Sequence, residues 1–175
     1  MRFKPVPTPP VDSTLEDAHR AVPLVPASES DCLRRIRERL DVDDETEARA
    51  WLAFLRALEL AERTARGYRR TRREATAASL TEPFRRRVYG AQEALSVLSS
   101  ANRPLTAAEI AERIQNCEPI WERRRSVDHE RSWRERTGRL LEWAVRLGLA
   151  ERVEPEKRSD AKEISSPAYR PKTPR

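Results

Sequence analysis

A short segment of the chain occurs twice, 89 residues apart. Residues 58–63 read Leu-Glu-Leu-Ala-Glu-Arg and residues 147–152 read Leu-Gly-Leu-Ala-Glu-Arg, so five of the six positions agree. The apolar residues of 51–54 align with those of 140–143 at the same offset. A segment that is repeated together with its surrounding pattern folds into repeated structural units. The repeat therefore predicts two copies of one small domain instead of a single larger core.

Helical periodicity and helix-start signals predict three helices in each copy. Capping boxes at residues 13–16 and 106–109, and the sequence Thr81-Glu82-Pro83, are typical helix starts. The predicted helices cover approximately residues 14–20, 30–40 and 45–58 in the first copy and 81–99, 107–114 and 128–147 in the second.

A β-hairpin is predicted after the third helix of each copy. Residues 60–64 and 68–72 flank a tight turn that ends at Gly67, where a positive φ is easily adopted. We call residues 60–73 the wing of the first copy. In the second copy a strand is expected at residues 149–153, and Tyr169 marks an ordered final strand in a longer wing.

Helices followed by a hairpin are the plan of a winged helix. The repeated segment resembles the winged helix-turn-helix superfamily, in which it marks the passage from the third helix into the wing. Residues 51–58 (Trp-Leu-Ala-Phe-Leu-Arg-Ala-Leu) and 140–149 (Leu-Leu-Glu-Trp-Ala-Val-Arg-Leu-Gly-Leu) resemble segments of small, functionally uncharacterised tandem winged-helix proteins of haloarchaea. The resemblance spans residues 13–73 and 81–173 and implies fold and lineage without a particular activity.

The expected fold class is mainly α with small antiparallel β-hairpins, arranged as two winged helix-turn-helix domains in tandem. The domains are predicted as an extended proline-rich lead-in at 1–12, winged-helix domain 1 at 13–73, a linker at 74–80, and winged-helix domain 2 with an extended wing and tail at 81–175.

The charge of the chain favours a partner that carries phosphates or an acidic surface. The formal net charge is +6, and 31 of the 35 basic residues are arginine. An arginine bias of this size is also what a high-GC genome produces, so composition alone leaves both explanations open. The resemblance makes the charge more informative, because haloarchaeal cytoplasmic proteins are usually acidic.

The sequence lacks the motifs of the common enzyme classes. Four glycines form no phosphate-binding loop, and the two histidines, His19 and His129, share no motif with the two cysteines, Cys32 and Cys117. No apolar run is long enough to span a membrane. We therefore expect a cytoplasmic protein that is not an enzyme, with no cofactor, no metal and no membrane partner.

Domain 1 presents the most convincing candidate for a surface that binds double-stranded DNA. In DNA-binding winged helices the third helix enters the major groove and the wing lies along the backbone. The face opposite the apolar stripe carries Arg49, Ala53 and Arg56. The wing adds six arginines with no acid between them, a pattern that predicts a phosphate clamp but also fits a solvated hairpin: Arg63, Arg66, Arg69, Arg70, Arg72 and Arg73.

Domain 2 gives a weaker signal. The outward face of its long helix carries Glu135 and Glu142, which would repel phosphates. Only the residues around its start are basic enough for DNA: Arg123, Arg124, Arg125, Arg131 and Arg134. For this domain a protein partner or a homodimer surface is the favoured interpretation.

Two functions follow as hypotheses. The first is a double-stranded DNA-binding protein, a transcriptional regulator or architectural binder that is associated with the nucleoid. The alternative is a tandem winged-helix scaffold for protein–protein interaction, such as an accessory subunit in chromosome segregation or complex assembly. The acids of domain 2 and the insertion around Trp121 favour the alternative.

Overall fold

The structure is a computed structural model, and it describes residues 5–10, 14–115, 129–153 and 166–172. The chain divides into two compact units, Met1–Tyr89 (unit 1) and Gly90–Arg175 (unit 2). In the described residues each unit contains helices followed by a small antiparallel sheet. The fold class, mainly α with two winged helix-turn-helix units in tandem, is confirmed.

Unit 1 contains the helices that local end signals predict. Thr14 caps the first helix in a capping box with Asp17, one residue later than the predicted box at 13–16. Ser28 and Asp44 cap the next two helices through their side-chain oxygens. The elements are α1 (Leu15–Ala21), α2 (Glu29–Leu40), α3 (Glu45–Ala57), β1 (Ala61–Thr64), β2 (Gly67–Arg70) and α4 (Ala77–Arg87).

The hairpin of unit 1 is confirmed and is joined by a third short segment. β1 and β2 are antiparallel, with Ala61 opposite Arg70. Ala27 exchanges two backbone hydrogen bonds with Tyr68, of 2.9 and 2.8 Å. Gly67 has the expected positive φ, 122°. The wing is therefore fixed to the segment that precedes α2.

The single helix predicted over residues 81–99 is wrong. The chain forms α4 and a separate α5 (Ala91–Ser100), because Gly90 adopts φ 84° between them. Phe84 of α4 is fully buried and meets Phe54 of α3 edge-on, with 6.5 Å between the ring centroids. α4 thus starts inside the expected linker and belongs to unit 1.

Pro83 lies inside α4 and does not begin a helix. A proline has no N–H, so it leaves the carbonyl four residues earlier without its helical partner. That carbonyl belongs to Ser79, and it accepts a hydrogen bond of 2.9 Å from the Arg73 guanidinium. The wing thus supplies the donor that Pro83 lacks.

Among its described residues, unit 2 follows the same plan with a three-stranded sheet. The elements are α5, β3 (Leu105–Thr106), α6 (Ala107–Arg113), α7 (His129–Arg146), β4 (Ala150–Val153) and β5 (Ala168–Pro171), and the strand order is β3-β5-β4. The capping box of Thr106 and Glu109 is confirmed. Trp133 is buried and donates its indole N–H to the carbonyl of Ala111 at 3.0 Å.

The sequence repeat corresponds to a repeated helix ending. At the end of α3, the N–H of Leu60 donates to the carbonyl of Leu55 at 2.8 Å, and at the end of α7 that of Leu149 donates to Ala144 at 2.8 Å. Both turns place one residue in the left-handed region, Glu59 at φ 60° and Gly148 at φ 70°. The two units thus turn from helix to wing with the same backbone.

Candidate nucleic-acid interface

The first turn of α3 is acidic, and this affects the groove-reading residues expected on that helix. Glu45 and Glu47 lie in the first turn, after the capping Asp44. Arg49 forms ion pairs with Glu45 at 2.7 Å and with Glu29 of α2. The guanidinium of Arg49 is therefore neutralised by two carboxylates that the predicted face did not include.

The end of α3 that lies nearest the wing is basic. The guanidinium carbon of Arg56 lies 5.4 Å from the centroid of the Tyr68 ring, and that of Arg63 lies 5.9 Å from it. The Tyr68 ring is buried, and its hydroxyl donates to Glu29 at 3.3 Å. Contacts of this type attract a cation to the aromatic face, so Tyr68 holds two arginines where α3 meets the wing.

The six wing arginines fall into two groups. Arg69 pairs with Glu62, its cross-strand neighbour, at 2.7 Å, and Arg73 pairs with Glu59. Among the described residues, the other four form no ion pair with a carboxylate: Arg63, Arg66, Arg70 and Arg72. The sequence has no acid between Arg63 and Arg73. In the folded structure, however, two of the six wing arginines pair with carboxylates that precede this stretch.

Glu59 is the centre of a cluster with three arginines, which we call the Glu59 cluster. Its carboxylate pairs with Arg73, with Arg87 at 2.9 Å and with Arg86 at 3.5 Å. Burial pushes the pKa of Glu59 upward, but the hydrogen bond from Arg87 and the charges of Arg73 and Arg86 outweigh it and hold the pKa below its usual value. The carboxylate is therefore ionised at neutral pH.

In unit 2 the acids of the long helix are partnered. Glu142 accepts hydrogen bonds from Arg152 and from the hydroxyl of Tyr169, both at 2.5 Å. It therefore connects α7 to both strands of its wing. Glu135 pairs with Arg131 at 3.1 Å on the exposed surface.

The remaining predicted arginines of unit 2 are either paired or outside the described residues. Arg134 lies 3.7 Å from Glu130, one helical turn earlier. Arg124 and Arg125, like Arg123 and Trp121, lie outside the described residues.

Sequence reasoning missed the carboxylates that neutralise the expected site. Glu29 lies 20 residues from Arg49, and Glu59 lies 28 residues from Arg87. One signal was available: Glu59 occupies the position at which the repeat has Gly148. A charged residue at a position that favours glycine indicates a role for its side chain.

The comparison with family models agrees with this architecture. The model of the halobacterial double winged helix domain matches residues 1–163. The chain belongs to this family. Searches of curated proteins and of solved structures gave no match.

Membership in the halobacterial double winged helix family indicates a DNA-binding or regulatory fold, and winged-helix domains are typically non-enzymatic. The part of the chain that is described contains no group of three or more His, Cys, Asp or Glu side chains that could hold a metal ion. Of the described helices, none combines the length and the hydropathy needed to cross a membrane.

Proposed function

We propose that this protein binds double-stranded DNA without catalysis, as a transcriptional regulator or an architectural protein of the nucleoid. The observation that carries the proposal is the group of wing arginines that lack carboxylate partners among the described residues. Arg63, Arg66 and Arg72 are exposed, and Arg70 is half-exposed. They are available to the backbone phosphates without first breaking an ion pair.

Two hydrogen bonds hold the turn of the wing in place, which favours phosphate binding by its arginines. The Thr64 hydroxyl accepts from the N–H of Arg66 at 3.2 Å and donates to the carbonyl of Gly67 at 3.1 Å. A guanidinium on a fixed loop loses less conformational freedom when it binds a phosphate. Each neutralised phosphate also releases counterions, so the affinity should depend steeply on salt.

The acidic start of α3 favours contact through the wing and the adjacent end of α3. Insertion of the first turn into a groove would bring Glu45 and Glu47 close to phosphates and cost affinity. Arg56 lies at the opposite end of the helix, next to Tyr68. We therefore expect Arg56 to contribute more to binding than Arg49, because Arg49 lies next to the acidic first turn and pairs with Glu45 of that turn.

Unit 2 is proposed to add affinity or to provide a surface for a protein partner or a second copy. Arg131 and Arg134 each pair with an acid of the same helix, and such exposed pairs are weak enough to exchange for a phosphate. Arg124 and Arg125 remain candidate contacts from the sequence alone.

A protein-interaction scaffold is the second candidate. It is favoured by the acidic first turn of α3 and by two exposed apolar side chains, Leu24 and Val25, which are 61% and 75% exposed. Weak binding of duplex DNA at low salt, with no salt dependence, would favour this function over the first.

The proposed function is tested by fluorescence anisotropy with a random duplex over a salt series. Substitution of Arg66, Arg70 and Arg72 by alanine should weaken binding and reduce the log–log salt slope by about 2 to 3. The matched control replaces three exposed arginines of unit 1 that already have carboxylate partners: Arg34, Arg35 and Arg39. If both triple variants lose the same affinity and slope, the wing has no special role.

A further inference from the structure

Glu59 adopts a backbone conformation that is costly for its residue type. Its φ is 60°, in the left-handed region, which a residue with a Cβ adopts less favourably than glycine does. Gly148 makes the same turn in unit 2 with φ 70°. A carboxylate is therefore not needed for the turn itself, and the strained position points to a role for the Glu59 side chain.

The Glu59 carboxylate lies in a basic cleft of unit 1. The cleft has a volume of about 480 Å³, and its charged lining is Arg56, Glu59, Glu62, Arg63, Arg73 and Arg87. Glu62 pairs with Arg69, whereas Glu59 takes hydrogen bonds from Arg73 and Arg87. The Glu59 side chain is only 25% exposed.

The arrangement around Glu59 is one that a phosphate group would also satisfy. Guanidinium groups bind carboxylates and phosphates in the same geometry, with N–H groups directed at paired oxygens. We propose that this cleft is a phosphate-binding site, which the chain's own Glu59 occupies in place of a phosphate. The phosphate is that of a duplex backbone if the proposed function holds, and a free polyphosphate offers the same chemistry.

Glu59 then competes with phosphate for Arg73 and Arg87. A phosphate that enters the cleft must displace the carboxylate, so the wild-type protein binds phosphate there only weakly. Removal of the carboxylate should open the site. Removal of the carboxylate also raises the net charge of the protein by one. The general gain in affinity for phosphates that follows from this charge has to be distinguished from the opening of the cleft.

The test compares Glu59→Gln with Glu38→Gln, which makes the same change in charge on α2, where Glu38 pairs with Arg34 at 2.9 Å. In the duplex anisotropy assay, Glu59→Gln should bind about fivefold to tenfold more tightly than Glu38→Gln, and its salt slope should be steeper by about 1. Glu59→Gly is the second variant. Glycine suits the positive φ, so this variant still tests the site if Glu59→Gln does not fold.

A second assay uses sodium tripolyphosphate and thermal unfolding, without DNA. Tripolyphosphate should raise the melting temperature of Glu59→Gln, but not that of Glu38→Gln or of the double variant Glu59→Gln/Arg73→Gln. If neither assay separates the Glu59 variants from Glu38→Gln, the site is overturned and binding through the wing stands. If tripolyphosphate stabilises Glu59→Gln while no variant binds duplex, the site stands and the proposed function fails.

Discussion

Gly67 faces the carbonyl of Ala27 so closely that a Cβ on residue 67 would lie 2.0 Å from the carbonyl oxygen. The neighbouring Tyr68 is the residue that exchanges two backbone hydrogen bonds with Ala27. The wing of unit 1 can therefore lie against the segment before α2 only if residue 67 has no side chain.

Gly67→Ala should destabilise unit 1 strongly. The variant would combine the 2.0 Å clash with a φ of 122°, which residues with a Cβ rarely adopt. We expect a loss of about 2 kcal/mol or more in the free energy of unfolding, measured with urea. Gly148→Ala is the control, since its φ is 70° and no atom lies within 4 Å of the added Cβ. Its cost should be about 1 kcal/mol, and equal costs for the two variants would contradict this account.

Tyr169→Phe should destabilise unit 2 and change how its free energy of unfolding depends on pH in alkaline solution. The variant loses the 2.5 Å hydrogen bond to Glu142, at a cost of about 1 to 2 kcal/mol. Burial and the hydrogen bond to Glu142 raise the pKa of Tyr169. Its contribution is therefore complete below the unfolded pKa near 10 and is lost as the pH rises above that value.

The measurement for Tyr169→Phe is urea unfolding between pH 7 and pH 11. The profile of the variant should be flatter than that of the wild type above about pH 10. Tyr68→Phe serves as the comparison, because the corresponding hydroxyl in unit 1 makes a longer bond of 3.3 Å to Glu29. An equal or larger loss for Tyr68→Phe would argue against the role assigned to Glu142.

Glu109→Gln should reduce the sensitivity of unit 2 to acid. The hydrogen bonds from Arg103 and from the backbone N–H of Thr106 lower the pKa of Glu109 from 4.5 to about 2. The stabilisation is thus present above pH 4.5 and is lost as the pH falls toward 2. The variant should lose about 1 kcal/mol at pH 7, as for other capping substitutions. At pH 2 it should match the wild type, and a constant difference across this range would refute the assignment.

Phe84→Ala should show that α4 is part of the core of unit 1. Phe84 is fully buried and packs edge-on against Phe54, so its truncation should cost about 3 to 5 kcal/mol. Leu24→Ala, at a side chain that is 61% exposed, should change stability by less than about 0.5 kcal/mol. Urea unfolding followed by Trp fluorescence compares the two. A small effect of Phe84→Ala would mean that α4 is only loosely attached.

The local features of the fold could be predicted from the sequence because their causes are local. Three such features depend on residues only a few positions apart: the capping box at Thr106 and Glu109, the glycine at the turn of the first wing, and the repeated helix ending. The helix at 81–99 could not be predicted, because its true limits depend on tertiary partners. Arg73 supports the interior position of Pro83, and Phe54 holds Phe84 in unit 1.

The candidate site was predictable only in part for the same reason. The wing arginines are evident from the sequence, but their partners are not. Glu62 faces Arg69 only once the hairpin forms, and Glu29 reaches Arg49 only once α2 packs against α3. The number of arginines in the sequence is therefore larger than the number that remain without a carboxylate partner in the folded site.

The two wings differ in length while their strands pair alike. Ala61 and Ala150 are 89 residues apart, whereas their strand partners, Arg70 and Pro171, are 101 apart. The second hairpin has thus gained 12 residues between its strands without a change in how its strand ends pair. This architecture therefore tolerates inserted residues in the connection between the wing strands. A peptide tag or a fluorescent label placed between the strands of the second wing would leave the pairing of that sheet intact.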